Sequence, residues 1–220
     1  MSRTLVIGNK NYSSWSLRPW LVLSVGEVPF EELRIPLDQP QTKAEILRHS
    51  PSGKVPCLIE NERDAVETIW DSLAIAEMVN ERHLNRRLWP ADARQRSRAR
   101  AVTAEMHSGF AALRTHMPMD IRGRYTAAGA TAQQRVDVAA DIARIHAIWS
   151  ECLQLSGGPF LFGTFSIADA FYAPVVTRFR TYGVALPKPL AAYSAAVFAL
   201  PAMRRWVAAA EAETESLNYG

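Results

Sequence analysis

Hydrophobic and polar positions along this 220-residue chain follow two different rhythms. Up to residue 81 the apolar runs are short and alternate with breaks. Residues 4–8 (TLVIG) predict a strand ended by a glycine, and the polar residues 9–14 a loop. From Ser16 the spacing of Leu17, Trp20, Leu21 and Val25 predicts a helix, with Pro19 in its first turn and Gly26 and Pro29 as its stop. Residues 30–37 predict a second strand carried by Phe30, Leu33 and Ile35. Thr42 and Glu45 stand at the capping-box spacing of a short helix over 42–49, which Pro51 and Gly53 break. Strands follow at 55–59 and 64–69. Asp71 or Ser72 then caps a helix to about residue 81, with Leu73, Ile75, Ala76 and Val79 apolar. The predicted order is βαβαββα.

Beyond residue 81 the strand rhythm is gone. Residues 82–100 hold seven arginines and one acid, Asp92, around a Leu-Trp-Pro turn. Val102, Met106, Phe110 and Leu113 share one face of a helix predicted over 92–117, and a loop with Gly123 and Gly129 covers 120–130. Ile142, Ile145, Trp149 and Leu153 mark a second long helix over 131–155, ended by Gly157, Gly158 and Pro159. Ser166 opens a third helix. Two alanine-rich helices, 190–198 and 202–213, are separated by Pro201. The division is therefore an α/β domain over 1–81, a linker over 82–91 and an all-α domain over 92–220.

Composition narrows the function classes. Hydrophobic residues make up 48% and charged residues 21%, enough to build a core without a disulfide or metal staple. No apolar run reaches the length of about eighteen residues that a membrane helix needs. The first residues carry too short an apolar stretch for a signal peptide, so a cytoplasmic location is expected. With 25 basic and 22 acidic residues, the net charge of +3 makes no case for nucleic acid or membrane. Arg94 with Arg98 and Arg96 with Arg100 fall on different helix faces, which suits a solvated helix start better than a nucleic-acid stripe. Cys57 and Cys152 form no CxxC pair, and His49, His83, His107, His116 and His146 show no metal-ligand spacing.

Four segments then resemble the cytosolic glutathione transferase superfamily: Ser13-Ser14-Trp15-Ser16-Leu17-Arg18, Ser50-Pro51-Ser52-Gly53-Lys54-Val55-Pro56, Trp70-Asp71-Ser72-Leu73-Ala74-Ile75 and Ser166-Ile167-Ala168-Asp169. The first is similar to the serine-rich start of the zeta class. The chain departs from that class at Trp15, where a cysteine is usual, and from the family at Asp71, where Gln or Glu is commoner. The resemblance implies a thioredoxin-like domain followed by an all-helical one, glutathione as co-substrate without a metal, and a homodimer. It implies Ser13 as the activating hydroxyl, with Ser14 and Tyr12 as alternatives. It assigns Ser14, Lys54, Val55, Pro56, Asp71 and Ser72 to glutathione, with a cis Val55–Pro56 bond turning the Val55 backbone toward the ligand's cysteinyl amide. Trp15, Met106, Phe110 and Met117 are the candidates for the second-substrate pocket, although a Met and aromatic stripe at helical spacing also describes a core. Ser166 and Asp169 read as a structural capping box.

The chemistry sets a simple energetic demand. A free thiol with a pKa of about 8.5 is only about 3% ionised at pH 7, and the thiolate is the nucleophile. Lowering that pKa by about two units takes about 2.7 kcal/mol. A hydroxyl donating to a charged sulfur supplies roughly 1.5–3 kcal/mol and a helix N-terminus roughly 0.3–1 kcal/mol. One serine before a helix meets the demand without a general base. The expected reaction is attack of glutathione thiolate on a small electrophile. A glutathione-dependent cis-trans isomerase and a non-catalytic binding module on the same fold are the alternatives.

Overall fold

The computed structural model describes residues 2–62 and 65–217, and these divide into two compact units. One comprises Met1–Arg86 together with Trp206–Gly220, the other Arg87–Arg205. The expected linker over 82–91 thus contains the division, but the end of the chain belongs with the first unit and not with the helical one.

The first unit is built on a four-stranded sheet in the order β2-β1-β3-β4. β1 (Ser2–Ile7) pairs in parallel with β2 (Glu31–Arg34) and antiparallel with β3 (Cys57–Glu62), which pairs antiparallel with β4 (Ala65–Ile69). The parallel step from β1 to β2 requires a crossover, supplied by α1 (Ser14–Val25); α2 (Thr42–Leu47) and α3 (Ser72–Arg82) complete the βαβαββα order read from the sequence. Val6, Ile35, Ile46 and Cys57 form a buried cluster, with Leu33, Leu37, Val55 and Ile59 packed on it. Residue 64, expected to open β4, lies outside the described residues.

The structure departs from two local expectations. α1 begins at Ser14, so Pro19 sits inside the helix instead of in its first turn. Its missing N–H forgoes the bond to the carbonyl of Trp15. Thr42 does not cap α2: its Oγ1 accepts from the Gln39 amide (2.9 Å) and donates to the Pro36 carbonyl (2.6 Å). Gln41 is the N-cap, without a side-chain bond.

The second unit is helical. The helix expected over 92–117 is two, α4 (Ala93–Ser108) and α5 (Ala111–His116), because Gly109 is extended and Phe110 adopts the left-handed conformation (φ 60°, ψ 43°). The loop expected to 130 and the helix expected from 131 become α6 (Thr126–Gln133) and α7 (Val136–Ser156), divided where Arg135 is extended. Gly129 lies within α6 because a Cβ there would stand 2.1 Å from the Tyr182 carbonyl oxygen, so only glycine lets the helix approach so closely. α8 (Ile167–Tyr182) is buried on all sides apart from Arg180, and its polar residues Asp169, Thr177, Arg178 and Thr181 are buried with the rest. Trp149 of α7 packs its ring 5.9 Å from Tyr172, 5.5 Å from Phe179 and 4.8 Å from Tyr193 of α9 (Lys188–Ala199). α10 (Pro201–Ala212) follows, and from Trp206 onward it belongs to the first unit. Among the described residues no helix is long and apolar enough to cross a membrane.

Candidate functional site

Sheet register gathers three segments on one edge of the first unit. Val6, near the C-terminal end of β1, is the register partner of Cys57, the first residue of β3. Leu58 is paired with Ile69, the last residue of β4. The turn after β1 (residues 9–13), the residues before β3 (Val55 and Pro56) and those after β4 (Trp70, Asp71 and Ser72) therefore leave the sheet at the same end. Two helices, α1 and α3, begin there.

In the turn, the Asn9 carbonyl accepts the amides of Tyr12 (3.1 Å) and Ser13 (2.8 Å). Ser13 is the N-cap of α1, accepting the Ser16 amide at 3.4 Å. Its hydroxyl lies 2.7 Å from that of Ser16, which in turn accepts the Gly8 amide at 3.2 Å. When Ser16 donates to Ser13, the Ser13 oxygen is an acceptor in both bonds and its own proton is free for another partner. Ser13 is 6% exposed. Ser14 opens the helix, and its amide donates to the Tyr12 carbonyl (2.9 Å); Ser14 and Tyr12 are both buried.

Pro56 is buried and the Val55–Pro56 bond is cis. Val55 precedes the ladder, which starts at Cys57, so the sheet register does not include its peptide. Lys54 is exposed, its amide donating to the Ser52 hydroxyl at 3.2 Å. Asp71 is the N-cap of α3, one oxygen accepting the amides of Leu73 (2.9 Å) and Ala74 (3.3 Å). The Trp70–Asp71 bond is also cis. Ser72 is fully buried, and its hydroxyl has no hydrogen-bond partner among the described residues. A buried orphan of this kind at a helix N-terminus is a feature that an anionic ligand satisfies.

The candidates for the second pocket separate. Trp15 is 38% exposed, with the Arg18 guanidinium 4.2 Å from its ring centre. Met106 and Met117 have no exposed surface and Phe110 is 7% exposed. All three sit where the helical unit bends its chain: the Met106 carbonyl accepts from the Arg114 guanidinium, Phe110 is the left-handed residue before α5, and the Met117 carbonyl accepts Arg178 Nε at 2.9 Å. They are core residues, and the core reading of their helical spacing is the one that holds.

Neither cysteine offers a nucleophile of its own. Burial pushes the Cys57 thiol up and raises that of Cys152 to about 11, so both stay protonated at neutral pH. Among the described residues no group of three or more His, Cys, Asp or Glu is arranged to hold a metal ion. Sequence reasoning used Ser16 only as the start of a helical spacing and passed over Glu213. The carboxylate of Glu213 takes the amides of Lys10 (2.7 Å) and Asn11 (3.1 Å) in the turn before Ser13. No short-range signal joins residues so far apart in the chain.

Comparison with known proteins agrees with this architecture. Residues 12–82 match the family model for the glutathione S-transferase N-terminal domain, and residues 91–209 that for the C-terminal domain. No match is found among curated proteins. Among solved structures, a bacterial zeta-class maleyl pyruvate isomerase is 25% identical, with a TM-score of 0.72 over 96% of this chain and 100% of that one. A Burkholderia glutathione transferase homologue with bound glutathione is 23% identical, with a TM-score of 0.68 over 97% of this chain and 100% of that one. A maleylacetoacetate isomerase from Anaeromyxobacter dehalogenans, with bound dicarboxyethyl glutathione and citrate, is 22% identical, with a TM-score of 0.67 over 93% of this chain and 90% of that one.

Proposed function

The chain belongs to the glutathione S-transferase family, and on that premise we propose that it binds glutathione at the common edge of β1, β3 and β4 and activates its thiol through the Ser13 hydroxyl. The observation that carries this reading is the Ser13–Ser16–Gly8 arrangement. Gly8 N–H donates to Ser16, and with Ser16 donating in turn to Ser13, 2.7 Å away, Ser13 keeps a proton to direct at sulfur. The bound thiol releases its proton to solvent. The thiolate lone pair then forms the C–S bond to an electrophilic carbon, and a displaced group leaves with its electron pair. The buried Ser72 hydroxyl and the N-terminus of α3 suit the γ-glutamyl carboxylate, and the Asp71 carboxylate suits its ammonium. The Val55 peptide, outside the ladder, suits the cysteinyl amide, and Lys54 the glycyl carboxylate. Trp15, partly exposed beside Ser14, is left to face the second substrate. The active form is a homodimer, checked by its mass in solution.

A second reading, a glutathione-dependent isomerase, is favoured by the likeness to the zeta-class maleyl pyruvate isomerase. It uses the same thiolate, which adds to the substrate and leaves again after rotation about the bond. Calorimetric titration with reduced glutathione tests the site common to both readings, with saturable one-to-one binding per chain expected. Absence of binding at millimolar glutathione would leave the fold serving as a non-catalytic module. Incubation with maleyl-type substrates then separates isomerisation from net consumption of glutathione.

A further inference from the structure

Trp206 and Glu213 hold the turn that carries Ser13. Glu213, its side chain only 7% exposed, accepts the Lys10 amide at 2.7 Å with one carboxylate oxygen and the Asn11 amide at 3.1 Å with the other. Trp206, fully buried, donates its indole N–H to the Lys10 carbonyl at 3.0 Å. Three hydrogen bonds from these two side chains thus fix the peptide groups on either side of Lys10. Charge-assisted bonds from consecutive amides to one carboxylate are the strong kind, and their geometry holds both peptide planes at once. The surroundings hold Glu213 in turn. Arg34 lies 3.6 Å from it and 2.8 Å from Glu215, while Lys10 Nζ pairs with Glu32 at 2.6 Å and lies 5.4 Å from the Trp20 and Trp206 ring centres. The clamped peptides belong to the turn in which the Asn9 carbonyl accepts the Ser13 amide. That turn decides where the Ser13 oxygen stands.

We infer that Glu213 is a positioning residue for the Ser13 hydroxyl: the C-terminal segment clasps the turn after β1 and so sets how well Ser13 donates to the glutathione sulfur. This rests on Ser13 being the activating hydroxyl. A catalytic hydroxyl must be held to within a few tenths of an ångström, and a turn of this kind has no sheet ladder to hold it. Glu213 supplies the acceptors that the turn's own backbone leaves to others.

The test is the pKa of the glutathione thiol in the complex, read from thiolate ultraviolet absorbance against pH in the full-length protein. Two effects of removing Glu213 have opposite signs. Loss of a nearby negative charge favours the thiolate and lowers the thiol pKa, whereas loss of positioning raises it toward the free value of about 8.5. In Glu213→Ala the thiol pKa is expected to rise by about one pH unit, a roughly tenfold loss of thiolate below that pKa. Glu213→Gln, which keeps one carbonyl acceptor in the same volume, is expected to show a smaller rise, and it carries the test if the alanine variant fails to fold. Glu215→Ala breaks an ion pair to Arg34 without touching the turn, and the thiol pKa is expected to hold. An unchanged or lowered thiol pKa in well-folded Glu213→Ala or Glu213→Gln overturns the inference. Ser13→Ala, run in parallel, separates the two claims. If it raises the thiol pKa while the Glu213 variants do not, the clasp alone is wrong. If it leaves the thiol pKa unchanged, the hydroxyl assignment fails and takes the clasp with it.

Discussion

The two units use the same local device with different results. Each has a serine at the start of a helix and a polar partner three residues on: Ser13 with Ser16 before α1, and Ser166 with Asp169 before α8. In the helical unit the partner is a carboxylate, which accepts only. Asp169 takes the Ser166 amide (2.8 Å), the Ser166 hydroxyl (2.8 Å) and the Leu161 amide (3.0 Å), so the proton of Ser166 is consumed within the fold. In the first unit the partner is a hydroxyl that can donate to its serine, and when it does the serine's own proton remains available. On the proposed reading, the residue at the third helical position therefore separates a structural cap from a hydroxyl that acts on a ligand.

The largest expected effect breaks the comparison on its structural side. Asp169→Ala leaves three buried donors without their acceptor. At roughly 1–3 kcal/mol for each, the loss is about 3 kcal/mol or more. Denaturant unfolding checks this, and a loss below about 1 kcal/mol would mean the cap is not what holds α8 in place. Its pH dependence is equally specific. Burial pushes the Asp169 carboxyl up to about 6, above the value of about 3.9 in an unfolded chain. The folded protein therefore holds that proton more tightly. The stabilising contribution is fully present below about pH 4 and is lost as pH rises to about 6, with no further change above. The variant should lack that slope.

A smaller effect follows from converting one cap into the other. Ser16→Asp puts a carboxylate at the third position of α1, as in α8. It should capture the Ser13 proton and add a negative charge near the sulfur, both of which raise the thiol pKa. Thiolate formation should fall as far as in Ser13→Ala, about ten- to a hundredfold for the loss of a bond of roughly 1.5–3 kcal/mol. The chain should keep its fold, since an aspartate three residues after an N-cap serine forms a capping box. A thiol pKa that stays low in this variant would show that the partner's identity does not decide the outcome.

Local features were legible in the sequence and distant ones were not. The βαβαββα order, a helix cap at Asp71 or Ser72 and the Ser166–Asp169 box follow from periodicity and spacings of a few residues. The break between α4 and α5 did not, because a left-handed Phe110 has no marker in its residue type. Gly129 misled in the opposite direction: read as a loop residue, it is a helical contact that the Tyr182 carbonyl makes obligatory. Ser13 could be singled out by motif, but its hydroxyl network required the β1–α1 turn to be folded. Met106 and Met117 were candidates for a pocket on a stripe that more often marks a core, and their burial places them in the core. The clasp from Glu213 joins residues some two hundred positions apart, beyond any periodic pattern.

The smallest effect asks whether Ser16 is a partner of Ser13 or part of the activating machinery. Ser16→Ala removes the acceptor of the buried Gly8 amide, a loss of about 1 kcal/mol in stability. It also removes the hydroxyl 2.7 Å from Ser13. Ser13 then still accepts the Ser16 backbone amide, and its proton has one fewer competing acceptor. The thiol pKa of bound glutathione should therefore move by less than about half a pH unit, far less than in Ser13→Ala or Ser16→Asp. The two serine-capped helices differ, on this argument, by what the third residue takes from its serine and not by what it gives. A shift in Ser16→Ala as large as in Ser13→Ala would reverse that ordering, because the donated bond from Ser16 would then be what makes the Ser13 proton effective.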